Sequence, residues 1–428
     1  MGLKVAVVGG GSTYTPELAE GLGARTERLP IDELALLDVD AERLEVVGGL
    51  VRRMLDRMSW AGRVDATSEV DAALDGADFV LVQLRVGGQA ARLVDETLPP
   101  RFGTVGQETT GAGGFAKALR TLPVVLELAE RVARRSAPGA WIIDFTNPVG
   151  IVTQALLDEG HRAIGLCNVA IGFQRRMAER FGVEPGRVEL EHVGLNHLSW
   201  VRAVRIDGTD RLPELLARDG EGIARDMRLP VELLRSLRAI PSYYLRYFYL
   251  PDVVLAEQAD GHSRAEEVMA IESRLLEMYR DPELDSKPGL LAHRGGAYYS
   301  EAAAQLMASL HDGAGDVQVV DTRNQGAIAD LPDDAVVEVP SRIDRDGAHP
   351  LQLGQLPAEM RGLVQQVKAY EELTIRAART GDRDVALLAL LANPLVGRWQ
   401  LAAPLLDALL DADREHLPRF FPEGARSA

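Results

Sequence analysis

The segment Val5-Ala6-Val7-Val8-Gly9-Gly10-Gly11-Ser12, near the amino terminus, decides the fold. Four consecutive apolar residues are typical of a strand that is buried on both faces of a parallel sheet. Glycines directly after such a strand permit a tight turn and let backbone N–H groups approach a pyrophosphate at the start of a helix. A helix-like stretch, residues 16–22, follows at once. The segment therefore predicts the strand, turn and helix that open a dinucleotide-binding domain.

Three further runs of nearly continuous apolar residues repeat this pattern along the first part of the chain, at 34–37, 79–82 and 141–143. Helical patterns lie between them, for example at 44–55 and 118–134. Alternation of buried strands with helices indicates βαβ units. We therefore predict an α/β fold, with a Rossmann-type doubly wound parallel sheet like that of the lactate and malate dehydrogenases.

The pattern changes in the second part of the chain. Residues 188–206 alternate like strands, and helical patterns follow at 233–237, 265–279, 302–310 and 361–391, with one strand-like piece at 335–339. This part is predicted to be a mixed α+β, mostly helical domain. The expected division is 1–166 for an NAD-binding domain and 167–428 for a domain that binds substrate and metal and forms the oligomer.

Composition limits the classes of partner. The chain of 428 residues has 64 acidic and 47 basic residues, a net charge of −17. Such a surface repels phosphate backbones and anionic lipids, so we expect no nucleic-acid and no membrane partner. The single cysteine fits a reducing compartment, and the sequence shows neither a signal-peptide pattern nor an apolar run of membrane-spanning length. We expect a cytoplasmic protein.

Cofactor-binding residues are predicted from the first two strands. Gly9, Gly11 and Ser12 would hold the pyrophosphate of the cofactor. Asp38 ends the second apolar strand, where a carboxylate accepts hydrogen bonds from ribose hydroxyls, which favours NAD over NADP. In the pattern G-x-G-x-x-G the third glycine is replaced by Tyr14. A glycine-rich turn without a cofactor is the alternative interpretation.

Three polar residues at strand ends are candidates for chemistry. Asn147 follows the fourth apolar strand and could hold a substrate hydroxyl, as in a hydroxy-acid dehydrogenase, or form an Asx-turn before Pro148. A thiolate and an imidazole, from Cys167 and His197, are good ligands for a divalent transition metal. Each alone is as readily explained as a buried structural residue, and their spacing is not a metal motif.

Several short motifs occur in a fixed order. They include Gly106-Gln107-Glu108-Thr109-Thr110-Gly111, Gly165-Leu166-Cys167-Asn168 and Tyr244-Leu245-Arg246-Tyr247. The set as a whole lies at 85–88, 92–96, 106–111, 146–148, 165–168, 194–197, 240–247 and 294–300. In these motifs, across roughly residues 3–400, the chain resembles glycoside hydrolase family 4, whose NAD- and metal-dependent glycosidases do not use two carboxylates.

The resemblance implies a role for each matching residue. Cys167 and His197 would bind the metal, usually Mn²⁺, and Tyr244 would be the catalytic base, with Tyr243 as the neighbouring candidate. The residues that would contact the substrate are Arg92, Asn147, Arg264 and Arg294, and such arginines could bind a sugar phosphate through bidentate hydrogen bonds.

The resemblance also points to one branch of the family. Arg85-Val86-Gly87-Gly88 and Cys167-Asn168-Val169 look most like the 6-phospho-β-glucosidases. In α-acting relatives an Asp follows the metal-binding Cys and serves as the leaving-group acid. Asn168 stands there in this chain, which favours a β linkage and leaves the acid unassigned.

The implied reaction has no net redox change. NAD⁺ takes a hydride from C3 of the sugar, the metal polarises the resulting ketone, and a tyrosinate removes the C2 proton. Elimination expels the aglycone, water adds to C1, and the hydride returns.

The expected substrate is a small 6-phosphorylated β-glucoside, and a homodimer or homotetramer is expected. The alternatives are a relative resembling α-galactosidases or α-glucuronidases and acting on unphosphorylated glycosides, a hydroxy-acid dehydrogenase, and a non-catalytic sensor of NAD or sugar phosphates.

Overall fold

The computed structural model describes residues 2–296 and 298–422. Within these residues, a nine-stranded sheet is built around six parallel strands: β1 (Leu3–Val8), β2 (Ile31–Leu37), β3 (Arg63–Thr67), β4 (Phe79–Val82), β5 (Trp141–Asp144) and β6 (Ala163–Gly165). Their order across the sheet is β3-β2-β1-β4-β5-β6. This is the strand order of the dinucleotide-binding fold, and it confirms the predicted α/β class.

The helices that connect these strands cover the two faces of the sheet: α1 (Thr15–Gly23), α2 (Ala41–Arg57), α3 (Val70–Leu74), α4 (Gly88–Thr97), α5 (Gly111–Arg135) and α6 (Val149–Asp158). Helix α7 (Asn168–Phe181) follows β6, and its buried Phe173 and Met177 belong to a separate apolar core. Helix α2 shows why the sequence folds in this way. Asp40 caps its start by accepting the Arg43 N–H at 3.0 Å, and the helix buries Leu44, Val47 and Leu50 against the sheet. A capped helix with one apolar face is stable only when that face is covered.

Seven further strands follow: β7 (Val188–Leu195), β8 (Leu198–Ile206), β9 (Thr209–Asp210), β10 (Ile240–Pro241), β11 (Asp316–Arg323), β12 (Val336–Asp344) and β13 (Gly347–Pro350). The hairpin β7–β8 belongs to a second, smaller sheet with β9 and β10. By contrast, β11, β12 and β13 extend the first sheet, and β11 pairs with β6 in antiparallel orientation. The division of the chain at residue 166 stays a prediction, and the main sheet draws strands from both sides of it.

The remaining helices confirm that the second part is mainly helical: α8 (Leu212–Met227), α9 (Val231–Leu237), α10 (Arg246–Tyr249), α11 (Pro251–Asp260), α12 (Arg264–Tyr279), α13 (Tyr299–Asp312), α14 (Ala358–Thr380), α15 (Arg383–Ala392) and α16 (Trp399–Ala412). The single helical pattern expected at 361–391 is two helices. Gly381 has a φ of +69° and ends α14, and the Asp382 side chain caps α15. A left-handed glycine followed by an Asp cap stops one helix and starts the next.

None of the helices described in 2–296 and 298–422 is long and apolar enough to cross a bilayer.

A buried ion cluster joins the end of α16 to α4 and α5. The Arg120 guanidinium is fully buried and contacts Asp95 at 2.5 Å and Asp413 at 3.1 Å. Replacing Arg120 by alanine would leave two buried carboxylates without their cation. We therefore expect Arg120→Ala to lower the free energy of unfolding by about 3–5 kcal/mol in urea titrations. The exposed pair of Arg134 with Glu130 provides the control, and Arg134→Ala is expected to cost less than about 1 kcal/mol. Equal losses in the two variants would contradict this.

Candidate active site

The glycine turn after β1 has the geometry that its sequence predicts. The N–H groups of Gly9 and Gly10 donate to the Leu37 carbonyl oxygen at 2.9 and 2.8 Å. The Gly11 N–H donates to Oδ2 of Asp38 at 2.8 Å. A Cβ on Gly11 would lie 2.8 Å from that same oxygen, so this close approach requires glycine. Asp38 therefore holds the turn in place as well as facing the cleft that the turn borders.

Tyr14, which replaces the third glycine of the dinucleotide pattern, ties this turn to a distant segment. Its hydroxyl donates to the Gly296 carbonyl oxygen at 2.7 Å and accepts the Ser300 N–H at 3.2 Å. Gly296 has a φ of +92°, and a Cβ there would lie 2.9 Å from the Tyr14 ring. The segment that begins at Arg294 is thereby fixed beside the turn.

A cleft of ≈ 760 Å³ opens at the carboxyl ends of the parallel strands. This edge is where ligands bind in doubly wound α/β sheets. Six of the residues predicted from the sequence line it: Gly9, Gly11, Ser12, Asp38, Asn147 and Arg294. Its volume is that of a typical site for a cofactor or small ligand, and the glycine turn provides an NAD-type cradle within it.

Cys167 and His197 meet although they lie 30 residues apart. Cys167 stands between β6 and α7, and His197 lies in the tight turn between β7 and β8 with a φ of +62°. Sγ of Cys167 is 3.5 Å from Nε2 of His197. That is the separation of two ligands whose bonds to one shared metal are roughly 2.0–2.3 Å each, so the pair fits a transition metal. Across 2–296 and 298–422 no group of three or more His, Cys, Asp or Glu is arranged to hold a metal ion.

Burial keeps both of these groups neutral when no cation is near. It raises the pKa of the Cys167 thiol, an effect that the carboxylate of Glu338 increases. It lowers the pKa of the His197 imidazole to about 4. A metal ion reverses the preference at the thiol, because it binds the deprotonated form.

Cys167 and His197 are the candidate metal pair. Tyr244, and not Tyr243, lies against this metal pair. The rings of Tyr244 and His197 are stacked, with centroids 3.8 Å apart and an interplanar angle of 15°. The Tyr243 ring is roughly perpendicular to that of Tyr244, and its hydroxyl accepts a hydrogen bond from Arg246 at 3.3 Å. Burial raises the pKa of Tyr244, and the neighbouring Cys167 and Tyr247 raise it further. The phenol is therefore neutral until cationic charge is brought to it.

The residues predicted to contact the substrate fall into two places. Asn147 follows β5 and lines the cleft, and its Oδ1 is buried with no hydrogen-bond partner among the described residues. Arg294 lies at the glycine turn, where it donates to Thr13 Oγ1 at 2.7 Å and to Ser12 Oγ at 3.4 Å and pairs with Glu272 at 3.0 Å. Both face the space that a ligand in the cleft would occupy.

Arg92 and Arg264 lie together, although neither is among the described residues that line the cleft. Arg92 is buried on α4, 2.7 Å from Glu96. Glu96 also accepts the N–H of Ala265 at 2.7 Å, and this places the start of α12 beside Arg92. Arg264 begins that helix, is more exposed, and donates to the His293 carbonyl oxygen at 2.7 Å.

A charged cluster at the cleft was not predicted to have a role. Glu108 accepts hydrogen bonds from Arg85 and, at 2.7 Å, from the Lys117 ammonium, and it lies 3.3 Å from Arg92. Burial opposes ionisation of Glu108, but these three cations hold its pKa well below the usual range. Glu108 belongs to a motif quoted above, and Lys117 is one of only four lysines in the sequence. The rarity of lysine was a signal for Lys117, but only the fold places it beside Glu108.

A second array that sequence reasoning missed lies behind the metal pair. The buried Glu338 carboxylate lies 2.8 Å from His192 Nε2 and accepts from the Asn196 side chain at 3.1 Å. Asn196 directly precedes His197, so this array anchors the turn that carries one of the two candidate metal ligands. The sequence offered one signal for this array: Glu338 interrupts the apolar run Val336-Val337-Glu338-Val339. A buried strand carries a charged side chain only where that side chain has a partner.

Comparisons with known proteins agree with this geometry. The model for "Family 4 glycosyl hydrolase" matches residues 4–183, and the model for its C-terminal domain matches 192–396. The probable 6-phospho-β-glucosidase of Bacillus subtilis is 42% identical, with 98% of each chain covered. The crystal structure of the 6-phospho-β-glucosidase from Thermotoga maritima with manganese, NAD⁺ and glucose-6-phosphate is 37% identical, has a TM-score of 0.92, and is matched over 97% of this chain and 99% of that one.

A more distant match concerns the fold alone. A lactate dehydrogenase from a deep-sea metagenome library has a TM-score of 0.57 at 13% identity, with 88% of this chain and 99% of that chain covered. It confirms the dehydrogenase-like sheet that the apolar strands predict.

Proposed function

The chain belongs to glycoside hydrolase family 4, and on that basis we propose that it hydrolyses 6-phospho-β-glucosides with NAD and a divalent metal, Mn²⁺, as cofactors. One observation carries the proposal: a Cys–His pair 3.5 Å apart, stacked against a tyrosine, lies in the same molecule as an NAD-type glycine turn. A hydroxy-acid dehydrogenase of the lactate or malate type, the alternative raised by the sheet, transfers its hydride without a bound metal and has no need of such a pair. The relatives compared above are named 6-phospho-β-glucosidases, which supports the choice of substrate.

The glycine turn and the metal pair hold the two cofactors. The turn at Gly9, Gly11 and Ser12, which has no bulky side chain, lets the pyrophosphate approach the backbone at the start of α1, and Asp38 binds the ribose. When bound, NAD accepts a hydride from C3 of the sugar, and the metal polarises the ketone formed there. Cys167 and His197 supply only two metal ligands, so the oxygens of the sugar can complete the coordination.

Tyr244 is the base that takes the proton from C2. Its stacking on the His197 ring fixes the phenol next to a metal ligand, so the base and the polarised carbonyl are held in one place. Cationic charge beside the phenol favours the tyrosinate form. Removal of the C2 proton then allows the C1–oxygen bond to break by elimination.

Four polar side chains are proposed to position the substrate. The unpartnered Oδ1 of Asn147 is a ready acceptor for a sugar hydroxyl. Arg294 offers its guanidinium at the cleft for the 6-phosphate. Arg92 and Arg264, which the fold brings to one place, are the remaining contacts implied by family membership.

Release of p-nitrophenol from its 6-phospho-β-glucoside tests the proposal. We expect turnover that requires both Mn²⁺ and NAD⁺, without accumulation of NADH. Accumulation of NADH would instead identify a hydroxy-acid dehydrogenase. Cofactor-dependent cleavage restricted to unphosphorylated α-glycosides would keep the mechanism and overturn the substrate. Binding of NAD and sugar phosphate with no turnover of any glycoside would mark a sensor.

We further propose that the chain forms a homodimer or homotetramer and acts in the cytoplasm. The helical second part of the chain and family membership support an oligomer. Sedimentation velocity on the full chain measures its mass in solution, and a monomer at micromolar concentration would contradict the oligomer. Fractionation of cells that express the chain tests its location.

A further inference from the structure

The reaction proposed above needs an acid that the family motif does not supply in this chain. When the C1–oxygen bond breaks, the aglycone oxygen takes the bonding electron pair, and a poor leaving group departs only if it also receives a proton. Asn168 follows the metal-binding Cys167, and an amide cannot act as a carboxylic acid. Another side chain must therefore donate this proton.

The titratable residues described at the cleft wall leave one candidate. Besides arginines, which do not lose their proton in proteins, they are Tyr14, Asp38, Asp40, Lys117, Glu127, Glu272 and Tyr299. Asp38 and Asp40 lie at the ribose end, and Glu127 lies further along α5 than Lys117, at a distance of about 15 Å.

Four residues remain, Tyr14, Tyr299, Glu272 and Lys117, and the first three are engaged in ways that do not suit the donor. The Tyr14 hydroxyl donates to Gly296, and that of Tyr299 lies 3.9 Å from Sγ of Cys167. Although burial opposes the charge of Glu272, Arg294 and Arg43 lower its pKa, so it stays ionised and has no proton to give. Lys117 is left.

The surroundings of Lys117 suit a proton donor. It lies on α5 with its Nζ 2.7 Å from Oε2 of Glu108, the oxygen that Arg85 also contacts. Glu108 keeps Arg85 and Arg92 as partners when the ammonium loses its proton, so no buried anion is left unpaired. Burial and the charge of Arg85 lower the pKa of Lys117 to about 7. Near neutral pH the side chain can therefore both release and take up a proton.

Electrostatic interactions also link Lys117 to the reacting groups, although Cys167, His197 and Tyr244 are not among the described residues that line the cleft. Glu108 and Lys117 both act on the pKa of His197, and Glu108 acts on that of Tyr244. The cluster therefore lies within electrostatic reach of the metal pair and of the base. A donor placed there can serve the same sugar ring that those groups hold.

We propose that Lys117 is the general acid for the leaving group, an assignment that rests on the function proposed above. As the C1–oxygen bond breaks, its electron pair goes to the aglycone oxygen, which takes a proton from Nζ of Lys117. The electron pair left at C2 by deprotonation forms the C1–C2 double bond, and the lysine becomes a neutral amine. When water adds to C1, the amine takes the proton of that water and the ammonium is restored. The alkene electrons return to C2, which takes a proton back from the Tyr244 hydroxyl.

Two variants of Lys117 separate proton donation from charge. Lys117→Met removes both, whereas Lys117→Arg keeps the charge but holds a proton that it does not release near neutral pH. In both variants we expect kcat for an alkyl 6-phospho-β-glucoside to fall by about 10²–10⁴-fold. With a dinitrophenyl leaving group, which departs without a proton, kcat is expected to stay within about threefold of the wild type.

Exchange of the C2 hydrogen with deuterated solvent is the second measurement. It precedes departure of the aglycone, so it should persist in both Lys117 variants.

Lys368→Met is the matched control. Lys368 is also buried on a helix beside a glutamate, with its Nζ 2.5 Å from Glu371, but it is not among the described residues that line the cleft. Its ratio of alkyl to dinitrophenyl turnover should match that of the wild type.

The outcomes are distinct. Equal losses on both leaving groups, or recovery of the alkyl substrate in Lys117→Arg, would overturn the role as acid and indicate that the positive charge binds substrate. Absence of C2 exchange in the wild-type enzyme would overturn the proposed function itself, whatever the Lys117 variants do.

Discussion

Replacing Cys167 by serine is expected to abolish metal-dependent turnover while NAD⁺ still binds. The thiol is one of the two proposed metal ligands, whose Sγ and Nε2 atoms lie 3.5 Å apart, and serine is a poor substitute for a thiolate. Loss of the metal removes several kcal/mol of transition-state stabilisation, so we expect kcat to fall by about 10³-fold or more. The glycine turn lies on other elements, and the Kd for NAD⁺, measured by calorimetry, should change less than about threefold.

Helix α7 offers a matched control for this substitution. Met177 is buried on the helix that Cys167 precedes, and Met177→Leu conserves volume, so it should leave turnover unchanged. Manganese titration by calorimetry provides the direct readout, since Cys167→Ser should bind the ion far more weakly than Met177→Leu does. Wild-type activity with bound Mn²⁺ in Cys167→Ser would remove the metal assignment.

Tyr244→Phe is expected to lose the exchange of the C2 hydrogen with solvent. The hydroxyl is the proposed base, and removal of a positioned base costs about 10²–10⁴-fold. The substitution keeps the ring that stacks on His197, so the metal pair should remain in place. Incubation of the substrate in deuterated buffer with Mn²⁺ and NAD⁺, followed by proton NMR at C2, measures the effect.

Tyr243→Phe provides the control for the neighbouring phenol. Its hydroxyl contacts Arg246 and not the metal pair, so exchange should stay within about threefold of the wild type. The opposite pattern, with exchange lost in Tyr243→Phe and kept in Tyr244→Phe, would assign the base to Tyr243.

Local sequence patterns account for much of the fold. Val5-Ala6-Val7-Val8 and the glycines after it predict β1, its turn and α1, because continuous apolarity and left-handed backbone are both local properties. The strand at 335–339 is likewise seen as β12. Its partner was not predictable: β12 continues the first sheet through β11, and the choice of pairing depends on contacts between segments far apart in the chain.

The candidate site divides in the same way. The sequence by itself predicted the glycine turn with Asp38. Through ordered motifs it determined family membership, and it singled out Cys167, His197 and Tyr244 as candidates for the metal ligands and the base. Only the tertiary structure decided that Sγ and Nε2 lie 3.5 Å apart, and that Lys117 meets Glu108 at the cleft. The physical reason is that backbone preferences act over a few residues, whereas the proton affinity and reactivity of a side chain depend on every charge and apolar wall that the fold places around it.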